Sequence, residues 1–317
     1  MERVKWVLCE FKWILIRVLH ILTGVYFISE RKYGMQDLMS AEEGNKSIEN
    51  YIESGNSFAY CRYGYVELGL MIQCERSRLL GINMLKHKNN EKKMFCISEE
   101  DVYVGIEKFD GLMRRASIDA DILGVWTNLA MGDVYVSFLL GKNRKCITTA
   151  LALESYCFEQ PWTSALKNKK VLVVSPFSKE IESQYKNNRT RLFKNPNVLP
   201  EFELQTMDSV WYIADYHDNR FSNWFEAYEY LCNEVHRRKF DIALLGCGPF
   251  GFPLAVEIKR MGRQAIQMGG AIQILFGIRG KRWDTLKISE LYNDFWIRPI
   301  KENIPQGAEI LDGQCYW

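Results

Sequence analysis

Short apolar runs alternate with longer amphipathic stretches along most of this chain. The clearest run is Lys169 to Phe177 (KKVLVVSPF), and Ile122–Trp126, Ile242–Leu245 and Ala265–Met268 repeat the type. Four to eight consecutive apolar residues bounded by turn signals predict strands buried on both faces. Weaker strand signals cover Ser57–Cys61, Cys146–Thr148 and Phe202–Met207. Between them, apolar residues recur at helical spacing: Ile48, Tyr51 and Ile52 within Ser40–Gly55; Val102, Ile106, Phe109 and Met113 within 98–118; and Tyr228, Leu231 and Val235 within Trp224–Lys239. Shorter helices are expected up to Leu166, around Ile181–Tyr185, from Leu254 through Ile258 to Met261 with Gly262 closing it, and over Leu286–Phe295. Asn187–Pro200 is polar with two prolines and predicts a loop. Cys74–Lys93, rich in Lys, Arg and Asn, predicts an exposed loop or an acceptor-side insertion, and Ile297–Trp317 an irregular tail. Strands alternating with helices place the chain in the α/β class.

Residues 4–28 follow a different pattern. They are apolar but broken by Lys5, Glu10, Lys12 and Arg17, so no uncharged run reaches the ~18–20 residues a membrane span needs. No small-residue cleavage site follows, which argues against a signal peptide. Aromatic residues interleaved with cations suit an amphipathic helix in a membrane interface; docking on the protein's own core or on a second subunit is the competing expectation. The expected organisation is an amphipathic helix within 1–34, one domain over 40–300, and a tail over 301–317.

Formal charge is only +2 on 317 residues, so nothing drives the chain globally toward nucleic acid. The nine cysteines are odd in number and form no C-x-x-C, consistent with reduced thiols in a cytosolic protein. Cys247 is a small residue suited to a turn, with a nucleophilic role as the alternative. His217 and His236 have no ligand-spaced partners, and His87, within KHKNN, reads as a solvated side chain.

The candidate chemistry centres on residues 240–284. The Ile242–Leu245 run is followed by Gly246, Gly248 and Gly251, spaced G-x-G-x-x-G, then by the helical stretch, the next strand and Gly269–Gly270. A strand, a glycine turn and a helix bring backbone N–H groups and a positive helix end beside a phosphate; a tight turn that binds nothing is the competing reading. Dinucleotide binding also wants an acid near the end of the next strand to hold a ribose. None occurs between Gly262 and Lys281; Arg279, Lys281 and Arg282 stand there instead. That pattern points to a diphosphate with a basic rim, and disfavours a nicotinamide oxidoreductase. Elsewhere, Arg62 and Glu67 straddle Gly64 at a strand end, where an α/β sheet presents its ligand crevice; a helix-start carboxylate paired with the arginine is the alternative. Ser175, at the carboxyl end of its strand, is either a phosphate contact or a helix cap.

Several of these stretches resemble bacterial GT-D-type glycosyltransferases and their relatives. Arg62-Tyr63-Gly64-Tyr65-Val66-Glu67-Leu68 is similar to the family's R-F-G-x-x-E-L segment. Leu153-Glu154 with Gln160-Pro161-Trp162, Val171–Phe177, Asn197–Phe202, Gly246–Gly251 and Met268–Trp283 follow in order, so the likeness spans roughly residues 45 to 285. It implies a Rossmann-like, mostly parallel sheet flanked by helices, and a transferase that moves a sugar from a UDP- or GDP-sugar in surface polysaccharide or glycoprotein assembly. The family's founding members carry Asp-x-Glu in the first motif, associated with a divalent metal, Mn or Mg; here the Asp position is Tyr65, leaving Glu67 as the one metal candidate. The expected catalytic residues are Glu67, Arg62 and Glu154. The expected donor contacts are Gly246, Gly248, Gly251, Ser175, Gly269, Gly270, Gln273, Arg279, Lys281 and Arg282. The acceptor is expected to be a glycan, lipid-linked at the cytoplasmic membrane face, with a homo-oligomer as a further expectation. The alternative is a non-catalytic nucleotide-sugar or polysaccharide-binding subunit of a biosynthetic complex.

Overall fold

The structure, a computed structural model, describes residues 2–24, 31–34, 36–81, 102–127, 131–141, 143, 145–213, 216–300, 304 and 315–317. A nine-stranded sheet is its frame. In chain order the strands are β1 (Lys32–Tyr33), β2 (Gln36–Met39), β3 (Phe58–Arg62), β4 (Ile122–Val125), β5 (Cys146–Thr149), β6 (Lys170–Ser175), β7 (Glu203–Asp208), β10 (Ile242–Leu245) and β11 (Gln264–Gln267); β8 (Tyr212–Ile213) and β9 (Tyr216–His217) pair separately. Across the sheet the order is β1-β2-β5-β4-β3-β11-β10-β6-β7. β1 is antiparallel to β2, and every other pairing in this sheet is parallel.

Strand periodicity sorts the core into two layers. On β3, Ala59 and Cys61 face one layer and Phe58 and Tyr60 the other; on β6, Leu172 and Val174 oppose Val171 and Val173; β10 splits Ala243 and Leu245 from Ile242 and Leu244. The helices follow suit. The first layer takes α3 (Tyr65–Leu80), α4 (Val102–Asp119), α5 (Gly132–Leu140), α7 (Trp224–His236) and α8 (Gly251–Arg260). The second takes α2 (Ala41–Ser54), α6 (Ser178–Leu192) and α9 (Ala271–Leu275). The chain is therefore an α/β protein with a mostly parallel sheet between helices, as the pattern predicts.

This arrangement fixes where a ligand can sit. The helix after β3 lies on one face and the helix after β11, its neighbour, on the other. Chain segments leaving adjacent parallel strands in opposite directions open a crevice at their carboxyl ends. Strands β6 and β10 diverge in the same way, through α6 and α8.

Several elements differ from expectation. Cys74–Leu80 belongs to α3, because its charges are paired: Arg76 meets Glu10 and Arg78 meets Glu75, and Gly81 in the left-handed conformation ends the helix. The rest of that expected loop, with His87, lies outside the described residues. Asn187–Leu192 extends α6, held by i,i+4 bonds from Asn187 to Ser183 and from Asn188 to Gln184, so the expected loop starts only after Leu192. Trp162–Leu166 and Lys287–Leu291 are 3-10 turns, shorter and tighter than the expected helices. Within 286–295, Asn293 is instead tied to the carbonyls of Arg191 and Leu192. The 301–317 tail is described only at residue 304 and at Cys315–Trp317, and those last three residues are packed, Cys315 and Trp317 being buried.

At the other end, α1 (Glu2–Thr23) docks on α3 and α5 through one side. Trp6 is fully buried against Tyr135 and Phe138. Its indole N–H donates to Glu10, which also accepts from the Arg76 guanidinium at 2.5 Å.

Candidate functional site

The glycine turn opens the site. Gly246 follows β10, and a Cβ there would lie 2.4 Å from Ile272 Cγ2 and 3.2 Å from the Gly269 carbonyl. Gly251 starts α8, where a Cβ would sit 2.9 Å from Gln267 Cγ. These two glycines therefore serve close packing of strand and helix. Gly248 differs: it is exposed, has φ +56°, and nothing stands within 4 Å of its would-be Cβ. Between them the Cys247 thiol is buried, and burial pushes it up to about 12, so it stays protonated at neutral pH and suits the turn rather than nucleophilic attack.

The second edge comes from β11. Gly269 has φ +55°, and a Cβ there would lie 2.5 Å from Arg62 Nη2. The Gly248 and Gly270 amides have no hydrogen-bond partner among the described residues. A guanidinium thus rests against Gly269, next in the chain to the unbonded Gly270 amide, a pairing of donors that suits an anion.

Arg62 is the electrostatic centre. It ends β3, where its own amide donates to Gln267 Oε1 at 2.8 Å. Its guanidinium lies 5.4 Å from the Trp126 ring centroid, and among the described residues no carboxylate comes within ion-pair distance of it. Five groups nonetheless feel its charge: Tyr60, Glu67, Glu154, Tyr156 and Tyr316.

The two expected carboxylates flank this cation from different strands. Glu67 lies in the first turn of α3, behind the N-cap Gly64, and its carboxylate folds back so closely that a Cβ on Gly64 would be 1.7 Å from Oε2. Burial raises its pKa; its own backbone amide and Arg62 pull it partly back. Glu154 follows β5, between the 3-10 turns Ala150–Leu153 and Ser155–Cys157. Burial raises it too, opposed by Arg62 and by a hydrogen bond from Tyr156.

The expected basic rim divides. Arg279 turns away from the crevice: Nη2 donates to the Asn293 carbonyl at 2.8 Å and the guanidinium packs over Tyr292. Lys281 is exposed. Arg282 lies over Trp283 and Tyr316, 5.5 and 5.0 Å from their centroids, and acts on the same Tyr316 that senses Arg62 and Glu67. Of the three, Arg282 is the one whose charge reaches the same tyrosine as Arg62.

Two further expected contacts have structural partners. Ser175 is fully buried, and its Oγ accepts from the Phe177 amide at 3.2 Å, which stabilises the turn into α6. Gln273 is also buried, and its Nε2 donates to the Tyr316 carbonyl at 3.0 Å. Sequence reasoning missed the aromatic groups around the crevice. Trp283 and Tyr316 each come to 3.2 Å from a Cβ built on Gly270, and the Tyr60 hydroxyl, near Arg62 and Glu154, is buried with no hydrogen-bond partner among the described residues. Tyr60 reads as an ordinary strand residue, and Tyr316 sits in a stretch with no periodicity.

A divalent metal has no protein cage here. Among the described residues no group of three or more His, Cys, Asp or Glu could hold one. Tyr65 is exposed and offers no carboxylate, while Glu67 is turned toward its own helix end. The donor set does not fit a protein-held metal.

No family model matches the chain, and no curated protein does. Among solved structures it is similar to one described as "The highly conserved domain of unknown function 1792 has a distinct glycosyltransferase fold", with 11% identity, a TM-score of 0.49, and 86% of this chain and 94% of that chain covered. It is also similar to a selenomethionine-substituted structure of domain of unknown function 1792, with 12% identity, a TM-score of 0.48 and the same shares covered.

Proposed function

We propose that the chain is a glycosyltransferase that takes a sugar from a nucleoside-diphosphate sugar, UDP- or GDP-linked, and gives it to a glycan acceptor in surface polysaccharide assembly. The observation that carries this reading is Arg62: a cation without an ion-pair partner among the described residues, seated on Gly269 beside free amides and flanked by two carboxylates.

Each part has a task in glycosyl transfer. Charge builds on the diphosphate as it leaves. Arg62, Arg282 and the Gly248 and Gly270 amides stabilise it, preorganised at the crevice where they need not reorganise. An acceptor hydroxyl held in line with the anomeric carbon gains from fixed geometry. If configuration inverts, a carboxylate with a raised pKa is the better base, and Glu67 and Glu154 both meet that condition. Trp126, Trp283 and Tyr316 supply apolar faces for a sugar or a base.

The second reading, a nucleotide-sugar-binding subunit without turnover, has one observation in its favour. Glu67 is folded back over its own helix N-terminus, where a carboxylate is stabilising for structural reasons alone. A panel of nucleotide sugars assayed for hydrolysis and transfer, with and without manganese, separates the two. Turnover that Arg62→Ala abolishes supports the transferase. Donor binding without hydrolysis or transfer across a broad acceptor panel supports the subunit.

A further inference from the structure

The side of α1 that faces away from the protein carries an unbroken apolar stripe. Val4, Leu8, Phe11, Leu15 and Leu22 recur at three-, four- and seven-residue spacing, and Val4, Leu8, Phe11 and Leu22 are 62, 64, 66 and 74% exposed. Among the described side chains, Trp6 and Glu10 anchor the docked side. A stripe this long, left in water, forgoes the stabilisation that burial gives to each of its side chains.

The charges say what covers it. Lys5 and Lys12 are exposed and lie seven residues apart, so they line the same edge of the stripe; Lys12 also acts on Asp133 across the seam with α5. Glu10 points inward and is neutralised by Arg76. The outward face therefore offers apolar side chains with cations along one edge, and Glu10 is withdrawn from it. That matches an anionic lipid surface, where the apolar face enters the acyl boundary and lysines meet headgroups. No described helix is long and apolar enough to cross a membrane, so the helix lies along the surface.

We propose that α1 docks the protein on an anionic lipid bilayer, stripe inward, with Lys5 and Lys12 at the headgroups. This does not depend on the transfer reaction.

Co-sedimentation of the full chain with vesicles tests it. Phosphatidylcholine alone is compared with phosphatidylcholine containing phosphatidylglycerol, and light scattering gives the oligomeric state. The wild type is expected to partition onto the anionic vesicles and much less onto neutral ones. Lys5→Gln with Lys12→Gln weakens anionic partition by about fivefold per lysine and leaves neutral partition unchanged. Phe11→Glu with Leu15→Glu abolishes partition while circular dichroism and Tm stay at wild-type values, since both side chains are exposed. A wild type that stays in the supernatant, equal partition onto both vesicles, or a Phe11/Leu15 variant that still binds would overturn the proposal. So would a variant that turns a dimer into a monomer without touching vesicle binding, which would make a second copy the occupant.

Discussion

Gly269→Ala separates the anion cradle from ordinary turn geometry. Two effects follow from the structure. The first is backbone strain: φ is +55°, and a non-glycine residue there costs roughly 1–2 kcal/mol. The second is displacement: the new Cβ would stand 2.5 Å from Arg62 Nη2, so the guanidinium must move. A hydrogen bond to a charged group contributes about 1.5–3 kcal/mol, and losing it weakens donor binding by about 10- to 150-fold. Gly55→Ala is the control. Its φ is +70°, nothing stands within 4 Å of its would-be Cβ, and it caps α2 far from the crevice in sequence, so it carries the strain without the displacement. Calorimetric titration with UDP and GDP, beside Tm, reads both effects. Both variants should lose similar stability, and Gly269→Ala alone should lose affinity. Equal affinity in the two would show that Arg62 does not meet the diphosphate.

Gly64→Ala should leave stability within about 1 kcal/mol of wild type, because the atoms nearest the new Cβ belong to the flexible end of Glu67, yet turnover should fall about 100-fold as that carboxylate is pushed aside. Glu67→Gln should lower kcat by about 100- to 10,000-fold with the fold intact. In the wild type, kcat should decline as pH falls through a pKa above the ordinary carboxylate range, because burial raises Glu67 and the base must be ionised; a flat acid limb contradicts this. Asp110 is a stability test. Burial raises it to about 6, and its Oδ1 is buried with no hydrogen-bond partner among the described residues. A carboxyl raised in the folded state favours folding at acid pH and loses that contribution as pH rises toward 6, on the order of 3 kcal/mol for a shift of this size. Asp110→Asn should therefore gain stability relative to wild type at pH 7.5 and little at pH 4, as denaturant titration at both pH values would show.

Most of the sheet was legible because buried parallel strands are continuous apolar runs, as at Val171–Val174 and Ile242–Leu245. Glycine spacing also located a crevice edge, since Gly246 and Gly251 are required by packing and Gly248 by its φ. What the sequence could not supply is convergence. Arg62 and Glu154 lie on β3 and after β5, and only the order β5-β4-β3 brings their ends together. Arg279, Lys281 and Arg282 look equivalent in a row, yet a backbone carbonyl at Asn293 holds Arg279 away from the crevice. Tyr316 lies in an aperiodic stretch and is held at the site by a bond from Gln273 to its own carbonyl and one from the Arg282 amide to the carbonyl of its neighbour Cys315. Polar helical segments were misread as loops at Cys74–Leu80 and Asn187–Leu192, because ion pairs and side-chain amide bonds sustain a helix without an apolar stripe.

In the proposed reaction Arg62 and the glycine amide next to its seat hold two linked phosphoryl groups. A crystal structure of the chain with UDP or GDP is the test. Diphosphate oxygens are expected within hydrogen-bonding distance of the Arg62 guanidinium and the Gly270 amide, with the leaving oxygen toward Glu67 and Glu154. A nucleotide bound elsewhere, or a crevice left empty at concentrations far above the measured Kd, would contradict it.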